Sequence, residues 1–258
     1  MATTSISFEE TPLLALTLRL ADDALVLSHR LSEWSSKAPL LEEDIALSNI
    51  ALDLIGQARM LYSYAADQMN GRFSEDGFAF LRDCHQYRNC LLVEQPNGDF
   101  AATMVRQVLF SSFMVPYWES MTTSTDETLS AIAAKAAKEC AYHLRHASEW
   151  LIRLGDGTAE SHGRSQRAVD DLWMFTGELF EADEKQCPSI EAGVAPDPSV
   201  IHPKWLTTIS RVFREATLDL PPSGWMQTGG RCGKHSEHLG HLLAEMQSLP
   251  RTYPGASW

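Results

Sequence analysis

Leu13, Leu16, Leu20, Asp23, Leu27, Arg30 and Trp34 follow one another at alternating steps of three and four residues. One step of each kind nearly completes two α-helical turns, so these side chains form the inner stripe of a bundle helix. The same period returns three more times. A second helix is predicted from about Glu42 to Met69, with acids in its first turn, where they suit the helix dipole, and Asn70-Gly71 as its stop. A third puts Phe100, Met104, Gln107, Ser111, Met114 and Trp118 on one stripe, and Pro96-Asn97-Gly98-Asp99 ahead of it offers Asn97 or Asp99 as N-cap. Pro116 is expected to kink this helix or end it early. A fourth runs from a loop at residues 122–126 to Leu154, where Gly155-Asp156-Gly157 stops it.

Four long helices with short connections predict an all-α four-helix bundle as the core, residues 13–155. The remainder, residues 156–258, is less regular and reads as a helical extension of the same domain, with helices over 164–182, 205–218 and 235–248. A shorter helix is expected over 75–89, and a flexible N-terminus over 1–12. No internal repeat and no β-alternating run of useful length appears.

The chain has 258 residues, 44% of them hydrophobic, which is enough for a sizeable core. A net charge of −13 argues against nucleic acid as a partner, since phosphate binding needs clustered Lys and Arg. The five cysteines are scattered and form no Cys-x-x-Cys pair, so neither a disulfide framework nor a thiolate zinc site is indicated. The first dozen residues lack the basic and apolar regions of a signal peptide, and no apolar run is long enough to span a membrane. A reduced, soluble, cytoplasmic protein without membrane contact is expected.

Bundles that hold two irons take a Glu from each of two helices and a Glu-x-x-His pair from each of the other two. If the first hairpin turns near Ala38, Asp53 lies fifteen residues after the turn and Asp23 fifteen before it, with Asp22 the other candidate for the inward position. If the second turns near Thr125, Glu139 lies fourteen residues after and Ser111 fourteen before. The first Glu-x-x-His position then reads Leu54-x-x-Gln57 and the second Cys140-x-x-His143. Asp23, Asp53, Gln57, Ser111, Glu139 and His143 thus define a layer shaped like a di-iron site without its ligands, and no metal is expected there. The alternative is an ordinary hydrogen-bonded polar core.

Two other constellations stand out. His235, Glu237, His238, His241 and Glu245 crowd the last helix without an H-E-x-x-H spacing, which favours a surface or interface role over a metal site. Gly229-Gly230-Arg231-Cys232-Gly233-Lys234 is glycine-rich and basic but does not follow a strand, so it is weak as a nucleotide motif. Contact with a phosphate or with a partner chain stays open.

Leu18-Arg-Leu-Ala-Asp-Asp-Ala-Leu-Val-Leu-Ser28, Asn49-Ile-Ala-Leu-Asp-Leu-Ile-Gly-Gln-Ala-Arg59, Leu92-Val-Glu-Gln-Pro-Asn-Gly-Asp-Phe100 and Lys138-Glu-Cys-Ala-Tyr-His-Leu-Arg145 resemble the C-subunit family of the phenylacetyl-CoA epoxidases. So do Leu172 to Asp183 and the tail from Thr228 to Gln247. The resemblance implies a ferritin-like fold and membership of a multicomponent monooxygenase that epoxidises the ring of phenylacetyl-CoA with O₂ and electrons from NADPH. It implies a paralogous A subunit that holds the di-iron site, a small bridging subunit, and a reductase subunit with flavin and iron–sulfur groups. This chain is then a non-catalytic scaffold, with no cofactor of its own, that pairs tightly with the A subunit and helps form the CoA-ester site. Two other readings compete: a metalloprotein with a mononuclear site around Glu139 and His143, and a stand-alone acyl-CoA-binding protein.

Overall fold

The computed structural model describes residues 5–256. Among them eleven α-helices and three short 3-10 turns form, and no strand. The helices are α1 (Pro12–Ser32), α2 (Leu41–Gln68), α3 (Glu75–Phe80), α4 (Leu91–Glu94), α5 (Phe100–Met121) and α6 (Glu127–Gly155). The extension adds α7 (Ala159–Trp173), α8 (Cys187–Glu191), α9 (Pro198–Glu215), α10 (Glu237–Met246) and α11 (Ser248–Thr252). The hairpins α1–α2 and α5–α6 make a ferritin-like bundle in which α2 faces α6, and α7 and α9 cover α5. Among the described residues no helix is long and apolar enough to cross a membrane.

Local chemistry sets the long helices. Thr11 caps α1 by accepting from Leu14 N–H, with Pro12 at the first turn. Asp99 caps α5 through Ala102 N–H, and Asp126 caps α6 through Leu129 N–H. Asn70 and Gly71 take left-handed backbone angles (φ 53° and 70°) and end α2. Pro116 does not end α5, which continues to Met121. Gly155 closes α6 against α9, and a Cβ there would come within 2.1 Å of the Ala216 carbonyl oxygen.

Several sequence expectations need correction. The stretch 75–89 is helical only to Phe80, because Arg82, Tyr87 and Arg88 are drawn into buried contacts that a continuous helix would break. The helix expected over 164–182 starts earlier, at Ala159 capped by Thr158, and stops at Trp173, leaving a 3-10 turn at Gly177–Phe180. The helix expected at 205 begins at Pro198 behind the Asp197 cap. The last helix divides into α10 and α11. Residues 5–11 are held in place where a flexible start was expected. Ile6 N–H donates to the Leu81 carbonyl (3.1 Å), Phe8 packs edge-on against Phe78, and Glu10 pairs with Arg88 (2.7 Å). Residues 1–4 lie outside the described residues.

One hydrophobic core joins bundle and extension, from Leu14 through Leu109 and Trp205 to Leu243. The irregular segment between α3 and α5 crosses this packed interior, so its backbone donors need partners. Buried carboxylates supply them. Asp22 accepts from Arg88 N–H (2.7 Å), from the Tyr62 hydroxyl (2.5 Å) and from the Arg82 guanidinium. Asp23 accepts from Cys90 N–H (2.7 Å), and Arg231 faces its other oxygen at 2.8 Å. Glu178 accepts from Leu91, Gly229 and Arg231 N–H. Burial works against the Arg82 charge, but Asp22 outweighs it and raises the Arg82 pKa. Asp22 and Arg82 are both fully buried, so removing one strands the other. Asp22→Ala is expected to cost about 3–5 kcal/mol in urea denaturation. A loss below about 1 kcal/mol would show that the pair is dispensable.

Candidate functional site

The central face of α6 is built from small or slender side chains, Ala133, Ala136, Cys140, His143 and Ala147, all buried. They let α2 approach closely enough for polar side chains to meet across the interface. The two helices run antiparallel, and four cross-helix contacts follow in order. The Tyr64 hydroxyl donates to Asp126, and Gln57 Nε2 donates to Glu139 Oε2 (2.9 Å). His143 Nε2 meets Asp53 Oδ2 at 3.0 Å, and His146 Nε2 meets Glu43 Oε2 at 2.9 Å. Together they make a polar seam along most of the bundle.

The centre of this seam is dry on one side and wet on the other. Gln57 and His143 are each 1% exposed, while the Asp53 side chain is 38% exposed. Burial pushes the His143 pKa below that of free imidazole, and the Asp53 hydrogen bond only partly opposes this. The ring is therefore neutral near pH 7 and donates its Nε2 hydrogen to the Asp53 carboxylate. Cys140, 4.0 Å from Gln57 Nε2, is pushed by burial up to about 12, which removes it as a thiolate nucleophile at physiological pH.

The structure brings four of the six sequence-selected residues together: Asp53, Gln57, Glu139 and His143. Ser111 lies buried on α5, and the Phe100–Trp150 ring contact (5.3 Å) gives α5 and α6 the register that sets Ser111 level with Glu139. Asp23 does not join them. Its neighbour Asp22 meets Tyr62 of α2, and Thr17 meets Gln68. Tyr62 lies nine residues, about 13 Å of helix, beyond Asp53. The register shifts because the α1–α2 connection is no tight reversal at Ala38. It is a run of turns from Glu33 to Leu40 with Ser36 left-handed (φ 66°). Both aspartates are buried, and both hold the segment between α3 and α5.

Donor chemistry decides what the seam can hold. The first pair position offers Leu54 and a carboxamide, the second Cys140 and His143, α5 offers a hydroxyl, and the α1 carboxylates are engaged elsewhere. Gln57 directs its NH₂ at Glu139, a donor where a metal would require a lone pair. Among the described residues no three His, Cys, Asp or Glu side chains converge as a metal-holding group. This set does not fit a pair of irons.

The other sequence constellations resolve into structural parts. In the Gly229–Lys234 segment, backbone N–H groups of Gly229 and Arg231 grip Glu178 of the chain itself, where a phosphate was one reading. The His235 side chain is buried between Glu94 (2.8 Å) and the Tyr87 carbonyl (3.1 Å), whereas His241 is exposed. Arg82 and Glu178 escaped notice in the sequence, and Glu94 and Arg231 were noted there without their role as buried partners. Their one signal was the Asp22-Asp23 doublet inside an apolar helix.

The His143 shift makes stability depend on pH. As pH falls, the unfolded chain takes up a proton on this imidazole before the folded chain does, so its contribution is intact above about pH 6.5 and lost as pH drops through the folded pKa. The urea midpoint is expected to fall between pH 7 and pH 5, with His143→Gln flattening part of that fall. An unchanged slope in the variant would contradict the assignment.

Known proteins are similar to this chain over nearly all of its length. The profile of the family described as Phenylacetic acid catabolic protein matches residues 2–258. The chain is 50% identical over 246 residues to the C subunit of the 1,2-phenylacetyl-CoA epoxidase of Escherichia coli (strain K12), a match that covers 95% of this chain and 99% of that protein. That relative is by its name one part of a larger enzyme, and the likeness runs through bundle and extension alike. The chain belongs to the phenylacetic acid catabolic protein family.

Proposed function

We propose that this chain is a non-catalytic subunit of a phenylacetyl-CoA epoxidase complex, which it serves by holding a related di-iron bundle in its working shape. The observation that carries this reading is Gln57, whose amide occupies a ligand position and satisfies Glu139 by hydrogen bonding. The seam has the layout of a metal layer, and its groups satisfy one another without an ion. The 50% identity to a protein named as the C subunit of such an enzyme supports a place in the same kind of assembly. The partners in this reading are a catalytic A subunit bearing two irons, a small bridging subunit, and a reductase that passes on electrons from NADPH. Phenylacetyl-CoA binds on the catalytic side or at the junction of the two bundles.

The test is reconstitution. The catalytic subunit alone is expected to turn over phenylacetyl-CoA at least about tenfold more slowly than with this chain added. Complexes with Glu139→Gln or His143→Gln should stay within about threefold of the wild-type rate, since neither residue touches the reacting atoms. Full turnover by the lone catalytic subunit, or a collapse of turnover on Glu139→Gln in an intact complex, would refute the assignment.

A further inference from the structure

The helix α2 is apolar on two faces, and the bundle uses only one. Its inward face buries Leu47, Ile50, Leu54 and Leu61. Its outward face carries Leu41, Ile45, Ser48, Leu52, Ile55 and Arg59, at steps of four, three, four, three and four residues. Leu41, Ile45, Leu52 and Ile55 are 73%, 54%, 65% and 42% exposed. The solvent face of a surface helix is ordinarily polar, and a contiguous apolar stripe marks a contact. A four-three repeat is the spacing at which knobs of one helix meet holes of another. The stripe runs about 27 Å, five helical turns.

We propose that this stripe is the contact of a twofold, antiparallel pairing with a second copy of the chain. Two α2 helices crossed about an axis level with Ile50 set Ile45 opposite Ile55 of the second copy, and Leu52 opposite the small Ser48. At the ends, Leu41 and exposed Glu42 reach Arg59 of the second copy. Charge and bulk are therefore self-complementary: acid meets base at both ends, and large meets small beside the axis. Arg59 now holds Glu75 at 3.1 Å with its side chain 76% exposed, an arrangement that leaves further N–H donors for Glu42. Beside Ile55 the surface opens into a groove of about 410 Å³ lined by Leu25, Tyr62, Ala79 and Phe80. Leu40 of the second copy, 53% exposed in the single chain, arrives next to that groove. A specific interface needs roughly 800 Å² from each side, and the stripe supplies its apolar centre. This pairing stands independently of the catalytic partner proposed above.

Light scattering and sedimentation on the purified full-length chain test it. The expected mass at micromolar concentration is twice the chain mass of 28.7 kDa. Leu52→Glu is expected to give a folded monomer with an unchanged far-UV circular dichroism spectrum, because Leu52 is solvent-facing in the single chain. Glu42→Arg should weaken the dimer by about fivefold or more, and adding Arg59→Glu should restore it. A chain monomeric at every concentration, or a dimer indifferent to Leu52→Glu, overturns the proposal. So does a monomeric chain whose Leu52→Glu variant loses the catalytic subunit, which would assign the face to that subunit instead.

Discussion

Everything in this bundle depends on how two adjacent carboxylates, Asp22 and Asp23, are satisfied inside α1. They reach past the bundle into the irregular segment between α3 and α5, where Arg88 and Cys90 donate backbone N–H bonds to them and Arg82 and Arg231 balance their charge. Glu178 and Glu94 act likewise from the other side, holding Leu91, Gly229, Arg231 and Ser236 N–H groups. A chain crossing a dry interior without regular structure has to find such partners. The acids that look like metal ligands in a bundle helix are thus structural here, and they fix where the extension lies on the bundle.

That arrangement makes the loss of ligand chemistry in the α2–α6 seam coherent. With the α1 carboxylates engaged elsewhere, the remaining groups satisfy one another by hydrogen bonding. Gln57 gives Glu139 a neutral donor, and a neutral imidazole gives Asp53 another. These hydrogen bonds keep the two helices in register without an ion. The seam holds its shape through hydrogen bonds, which fits the supporting role proposed above.

The fold was largely legible because its long helices repeat at one period and end at strong stops such as Asn70-Gly71 and Gly155. The α5–α6 register was legible too, since their connection is short: Ser111 and Glu139 lie level, as counting from Thr125 suggests. The α1–α2 register was not, because residue counting assumes a tight reversal, and Ser36 in a left-handed turn breaks that assumption. The segment 75–89 was misjudged for a related reason. Local propensity favours helix there, but buried Arg82 and the bonds to Asp22 and Asp23 override it, and long-range ion pairs leave no periodic trace in a sequence. Gln57 was informative because one amide in an apolar helix says both what the position needs and what it lacks.

Whether this bundle has truly given up its metal can be read from iron anomalous diffraction on crystals of the assembled complex. Two strong peaks are expected inside the catalytic subunit and none between α2 and α6 of this chain. A peak within coordination distance, about 2–2.3 Å, of Glu139 and His143 would contradict the reading of the seam as a closed hydrogen-bonded network.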